Sequence, residues 1–187
     1  MEALAEILSI CAEKRKVRYE DIELKEDLKA EALLLLERER LLLPSETSKS
    51  LAWEDRVLIP EAGREYEMPN VIVYLIKRAE ESGEWNPNYA VERCLKEAGE
   101  KEAEKVLDLF NMVKEMSERR VVTPDILEKA AEKLNLISRI GTVIAELKGC
   151  GIISPCLREA TKRGTLIYEV NPSLYRLSSA QYTDLFH

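Results

Sequence analysis

Apolar positions recur at helical spacing along most of the chain. Leu4, Ile7, Leu8 and Cys11 fall at i, i+3, i+4 and i+7, which predicts a first amphipathic helix. A second helix is expected from about Lys25 to Arg40, with Leu28, Ala32, Leu35 and Leu36 inward. Ile72, Leu75, Ile76 and Ala79 repeat the pattern after Pro69, a suitable first helical residue, and Gly83 stops it. Val91, Cys94, Leu95 and Ala98 form the next stripe, opened by Asn86-Pro87 and closed by Gly99. Ala103, Val106, Leu107, Phe110 and Val113 form another, ending near Arg119-Arg120. The helix over 71–79 is apolar on more than one side, which requires either a deep core position or a subunit interface.

The last third changes character. Thr123-Pro124-Asp125 reads as a helix start, with Thr as N-cap, Pro at N1 and Asp against the positive end of the helix dipole. Its buried stripe is Ile126 or Leu127, Ala130, Ala131 and Leu134. After a break at Asn135-Leu136-Ile137, Ser138 is read as the cap of a helix burying Ile140, Val143, Ile144 and Leu147. Gly151 ends that helix in a position suited to positive φ. Ile152-Ile153 reads as a short strand, residues 158–164 as a polar turn, and Thr165 to Val170 as a second strand closed by Asn171-Pro172.

Helix, helix, turn, helix and hairpin in this order resemble the winged helix-turn-helix superfamily. The resemblance rests on Ser138-Arg139-Ile140-Gly141-Thr142-Val143, similar to the start of a recognition helix, and on Leu147-Lys148-Gly149-Cys150-Gly151-Ile152-Ile153, similar to its exit into the hairpin. It covers about residues 100–178. Leu36-Glu37-Arg38-Glu39-Arg40-Leu41-Leu42 has the same form, with Arg40 in place of Gly151, and Arg56 to Pro60 is the matching apolar run. The expected fold is therefore mainly α with short β-hairpins. It is either a tandem of winged helices or one winged helix with a helical N-terminal domain. The divisions fall at 1–66, 67–99 (a helical connector) and 100–187.

Composition narrows the chemistry. His187 is the single histidine, which removes Ser-His-Asp and Cys-His catalysis and His-rich metal sites. No Gly-rich phosphate loop and no C-x-x-C occurs. The expectation is a protein that is not an enzyme and needs no cofactor or metal. Cys11, Cys94, Cys150 and Cys156 are read as buried small hydrophobes. Glutamine occurs once amid abundant Glu, Lys and Arg, a thermophile-like bias that makes a Cys150–Cys156 or inter-element disulfide admissible. The longest apolar run, Val71 to Ile76, is far short of the ~20 residues that cross a bilayer, and the N-terminus lacks a basic signal region. A soluble cytoplasmic protein without a membrane partner is expected.

Charge is uneven. Residues 1–119 hold 19 Lys and Arg against 28 Asp and Glu, whereas residues 120–187 hold 9 against 7. A polyanion would meet the C-terminal third. The resemblance implies a transcriptional regulator reading duplex DNA through the 138–150 helix and the 157–165 wing. Arg139 and Thr142 would face bases, Lys148 would reach a phosphate, and Arg158, Lys162 and Arg163 would follow the backbone. Such proteins often pair half-sites, so a homodimer fits. The alternative is a protein–protein assembly module of the same fold, favoured by the net charge of −7. A basic cluster joining these residues on one surface supports the first reading, and an acidic element across it supports the second. The run Glu97 to Glu104 reads as a solvated helix start, with a cation site as the sharper alternative.

Overall fold

The computed structural model describes residues 2–45 and 52–175. Among them the chain is mainly helical, with two three-stranded antiparallel sheets. Helix α1 (Glu2–Lys14) leads to strand β1 (Lys16–Arg18), a 3-10 turn (Tyr19–Asp21), α2 (Glu26–Arg38), β2 (Leu43–Pro44) and β3 (Glu65–Glu67). Helices α3 (Asn70–Ser82) and α4 (Pro87–Glu97) follow. Then come α5 (Ala103–Met116), β4 (Val121–Val122), α6 (Pro124–Lys133), a 3-10 turn (Ile137–Arg139), α7 (Ile140–Gly149), β5 (Ile153–Pro155), α8 (Leu157–Arg163) and β6 (Tyr168–Val170). In each sheet the last strand lies between the other two, in the orders β1-β3-β2 and β4-β6-β5.

The two sheet-bearing units repeat each other bond by bond. Arg15 and Arg120 both take positive φ, 62° and 67°, just before the first strand. The Arg15 carbonyl accepts from the Met68 N–H at 2.9 Å, and the Arg120 carbonyl from the Val170 N–H at 3.0 Å. Tyr66 pairs with Val17 and Pro44; Tyr168 pairs with Val122 and Pro155. Helix α2 ends with the Leu41 N–H on the Leu36 carbonyl at 2.8 Å, and α7 with the Ile152 N–H on the Leu147 carbonyl at 2.9 Å. Both closures are Schellman turns, with Arg40 at φ 53° and Gly151 at φ 74° in the left-handed position. On this matching α2 corresponds to α7, and the turn Tyr19–Asp21 takes the place of α6.

Several boundaries differ from the sequence reading, each for a local reason. The returning strand of the first unit is Glu65–Glu67, not Arg56 to Pro60; Val57 in that run is 66% exposed. Alternating polar and apolar residues in Glu65-Tyr66-Glu67 let Tyr66 go inward, fully buried, while its hydroxyl donates to the Ile59 carbonyl at 2.8 Å. Ser138 caps nothing: the chain makes a 3-10 turn there and α7 begins at Ile140. Thr123 does precede α6 with Pro124 at N1, without a side-chain cap bond.

Helix α3 joins the units. Val71, Ile72, Val73, Leu75 and Ile76 are all buried, so its broad apolar face is covered within the chain itself. Its first free N–H, on Val71, donates to the Cys150 carbonyl at the end of α7, 2.9 Å away, so one helix end satisfies another. The same corner explains Gly151: a Cβ there would lie 2.7 Å from the Pro69 Cβ. Fully buried Asn171 draws the two equivalent turns together. Its Nδ2 donates to the Arg40 carbonyl at 3.2 Å and to the Gly151 carbonyl at 3.4 Å, while its Oδ1 accepts from the Ser173 N–H at 3.0 Å. The Ser173 hydroxyl donates to the Glu39 carbonyl at 2.8 Å.

Candidate functional site

Helix α7 turns Val143 and Leu147 into the core and leaves Gly141, Thr142, Ala145 and Gly149 exposed. Its outer face is thus small and nearly uncharged. Thr142 is on that face, as expected. Lys148 is half-buried and lines a cleft of about 220 Å³ whose wall includes Arg56, Glu67 and Pro69 from the earlier part of the chain.

Arg139 is held by acidic side chains. It lies in the 3-10 turn before α7 and ion-pairs with Glu100 and, at 2.9 Å, with Glu102, both from the turn between α4 and α5; the Glu146 carboxylate on α7 is 3.9 Å away. The Glu100 side chain is fully buried and also accepts from the Glu102 backbone N–H at 2.6 Å. Burial works against its charge. Bonds from Glu146, the Glu102 backbone and Arg139 outweigh that, so its carboxyl is held below the usual range. Glu146 goes the other way: burial first, and then the Glu100 carboxylate beside it, push it up to about 7. The run Glu97 to Glu104 is therefore not merely a solvated helix start. Two of its carboxylates close over the guanidinium that was the best candidate for reading a base.

Residues 157–165, read as the wing with a polar turn over 158–164, are mostly helix. Leu157–Arg163 folds as α8 because Glu54, from the first unit, accepts from the Arg158 N–H at 2.8 Å at its N-terminus, and Gly164 at φ 67° ends it. Arg158, Lys162 and Arg163 are exposed on it. Lys162 pairs with Glu159 at 2.8 Å and Arg163 with the same carboxylate at 3.5 Å. Pairing with both cations holds the Glu159 carboxyl below the usual range. The six candidate residues are thus divided among a clamped turn, an exposed face, an inter-unit cleft and a separate short helix.

All four cysteines are free and buried, so Cys150 and Cys156 do not form a disulfide. Cys156 lies 3.3 Å from a Glu54 oxygen, and burial pushes its thiol up to about 11. Among the described residues no cluster of three or more His, Cys, Asp or Glu could hold a metal ion. No helix among them is long and apolar enough to cross a membrane. Glu54, Glu100 and Asn171 are the structural actors that sequence reasoning missed. The only signal for α8 was its run of helix formers ahead of Gly164, and nothing local pointed to Glu54.

A protein-family model of uncharacterised function matches residues 2–181, and the chain belongs to that family. No curated protein and no solved structure matches it.

Proposed function

We propose that the chain is a tandem pair of winged-helix units acting as a non-catalytic protein–protein assembly module. The order helix, strand, helix, helix, strand, strand, with the last strand central and α8 inserted before it, supports that fold for the second unit; the first follows it with the middle helix cut to a 3-10 turn. The observation that carries the functional reading is the clamp of Glu100 and Glu102 on Arg139. A guanidinium already satisfied by carboxylates has little to offer guanine, and those carboxylates repel phosphates. The uncharged outer face of α7 and the overall charge of −7 point the same way. Fold alone does not choose between nucleic acid and protein, so the site has to.

Duplex DNA is the second reading, favoured by the exposed side chains of Arg158, Lys162 and Arg163 on α8. The deciding experiment is fluorescence anisotropy of mixed-sequence duplex DNA at 50 and 200 mM salt, with wild type and a triple Arg158→Ala, Lys162→Ala, Arg163→Ala variant. The assembly reading expects no binding at the lower salt. Micromolar, steeply salt-dependent binding that disappears in the triple variant overturns it in favour of a DNA regulator.

A further inference from the structure

The cysteine pair that the fold brings together is Cys94 with Cys150, not Cys150 with Cys156. Cys94 is on the buried face of α4, and Cys150 caps the end of α7; they are 3% and 1% exposed. The Cys94 S–H points at the Cys150 carbonyl oxygen, 4.0 Å away. Both line a cavity of about 310 Å³ together with Arg15, Tyr74, Glu97 and Glu146. Arg15 and Glu97 are exposed, so the cavity wall reaches the surface. The other two thiols have no such setting. Cys11 is fully buried and pushed up to about 12 by burial, and Cys156 is beside Glu54.

We propose that Cys94 and Cys150 are a reversible redox pair, oxidised by a hydroperoxide to a disulfide that ties α4 to the end of α7. One sulfur attacks the O–O bond, becoming a sulfenic acid as the alcohol (or water) leaves. The second thiol then displaces water from that sulfur and the S–S bond forms. Two thiols and one hydroperoxide give one disulfide, one alcohol and one water. Cys150 attacks first, because the neighbouring Cys94 holds its thiol below the usual range while Cys94 itself is pushed up, its S–H directed at the Cys150 carbonyl. The link falls at a structural corner, because the Cys150 carbonyl also receives the Val71 N–H that starts α3.

The test is to treat the folded chain with hydrogen peroxide, quench in acid, alkylate under denaturing conditions and map the peptides by mass. Two of the four thiols should become unavailable to the alkylating agent and return with dithiothreitol. The peptide holding Cys94 should be joined to the one holding Cys150 and Cys156. The join should persist in Cys156→Ala and vanish in Cys150→Ala. Four alkylatable thiols after peroxide, a bridge that needs Cys156 or Cys11, or over-oxidation without any bridge would each overturn the assignment. Because the readout on wild type and Cys156→Ala is decisive by itself, a poorly folding Cys150→Ala does not weaken it.

Discussion

The two sheet-bearing units solve one geometrical problem with different residues. Each closes its last long helix with a left-handed residue, and each hands that residue's carbonyl to Asn171. In the second unit the residue is Gly151, with Pro69 so near that no side chain fits. In the first it is Arg40, whose guanidinium reaches Glu37 at 2.8 Å and lies 6.0 Å from the centre of the Trp53 ring. Left-handed backbone costs a non-glycine residue about 1–2 kcal/mol, and the Arg40 contacts offset part of that. The difference teaches that glycine is required here by the neighbour, not by the turn. A second contrast lies on the matched helices: Leu28 of α2, 53% exposed, occupies the place that Arg139 and its carboxylates hold before α7.

Exchanging the turn residues breaks the comparison most severely. Gly151→Arg should cost about 3–5 kcal/mol, from left-handed strain plus the collision with Pro69. Arg40→Gly should change stability by no more than about 1 kcal/mol, strain relief against a lost ion pair. Urea denaturation of both variants checks this, and equal losses would dismiss the role of Pro69. Next in size, Arg139→Ala should cost about 3 kcal/mol by leaving buried Glu100 unpaired, whereas Leu28→Ala should stay within about 0.5 kcal/mol. Thermal melts that put the two variants together would show the clamp to be idle. Asn171→Ala should cost about 2 kcal/mol, through carbonyls of both units left without a donor.

The smallest effect is a pH dependence carried by Glu146 of the second unit. Glu146, raised to about 7 in the folded chain, binds its proton more tightly there than when unfolded. Its share of stability is therefore full below the ordinary carboxylate range and is lost as pH rises through about 7. Glu146→Gln keeps a neutral group at that place. It should match wild type in melting temperature near pH 5 and exceed it near pH 8. A constant difference across that range would remove Glu146 as the titrating group.

Much of the helical layout was legible because it depends on spacing within one segment. The stripes through Ile7, Ile72, Leu95, Val106 and Leu147 turn inward, although Ala98 is exposed and Ala79, Ile140 and Ile144 are half-buried. What escaped depends on partners remote in sequence. Residues 157–163 carry helix formers, but the carboxylate that starts the helix comes from Glu54, over a hundred positions upstream. Arg139 read as a free cation because Glu100 and Glu102, nearly forty positions away, gave no local sign of closing over it. The strand at Glu65–Glu67 was passed over for a more apolar run, since strand choice followed hydrophobicity where alternation decided.

Asn171 also imposes an order of events. The turn it clasps at Arg40 is made 131 residues earlier in the chain, and the one at Gly151 only 20. During synthesis the first unit can close its own sheet as soon as Glu67 emerges, yet the clasp that Asn171 adds to its seat against the second unit waits until β6 is complete. Closing so distant a contact is slow compared with forming helices. A ribosome pausing before residue 171 would leave the units joined through Val71 on Cys150 and Glu54 on Arg158, but without the bond that ties their two turns together.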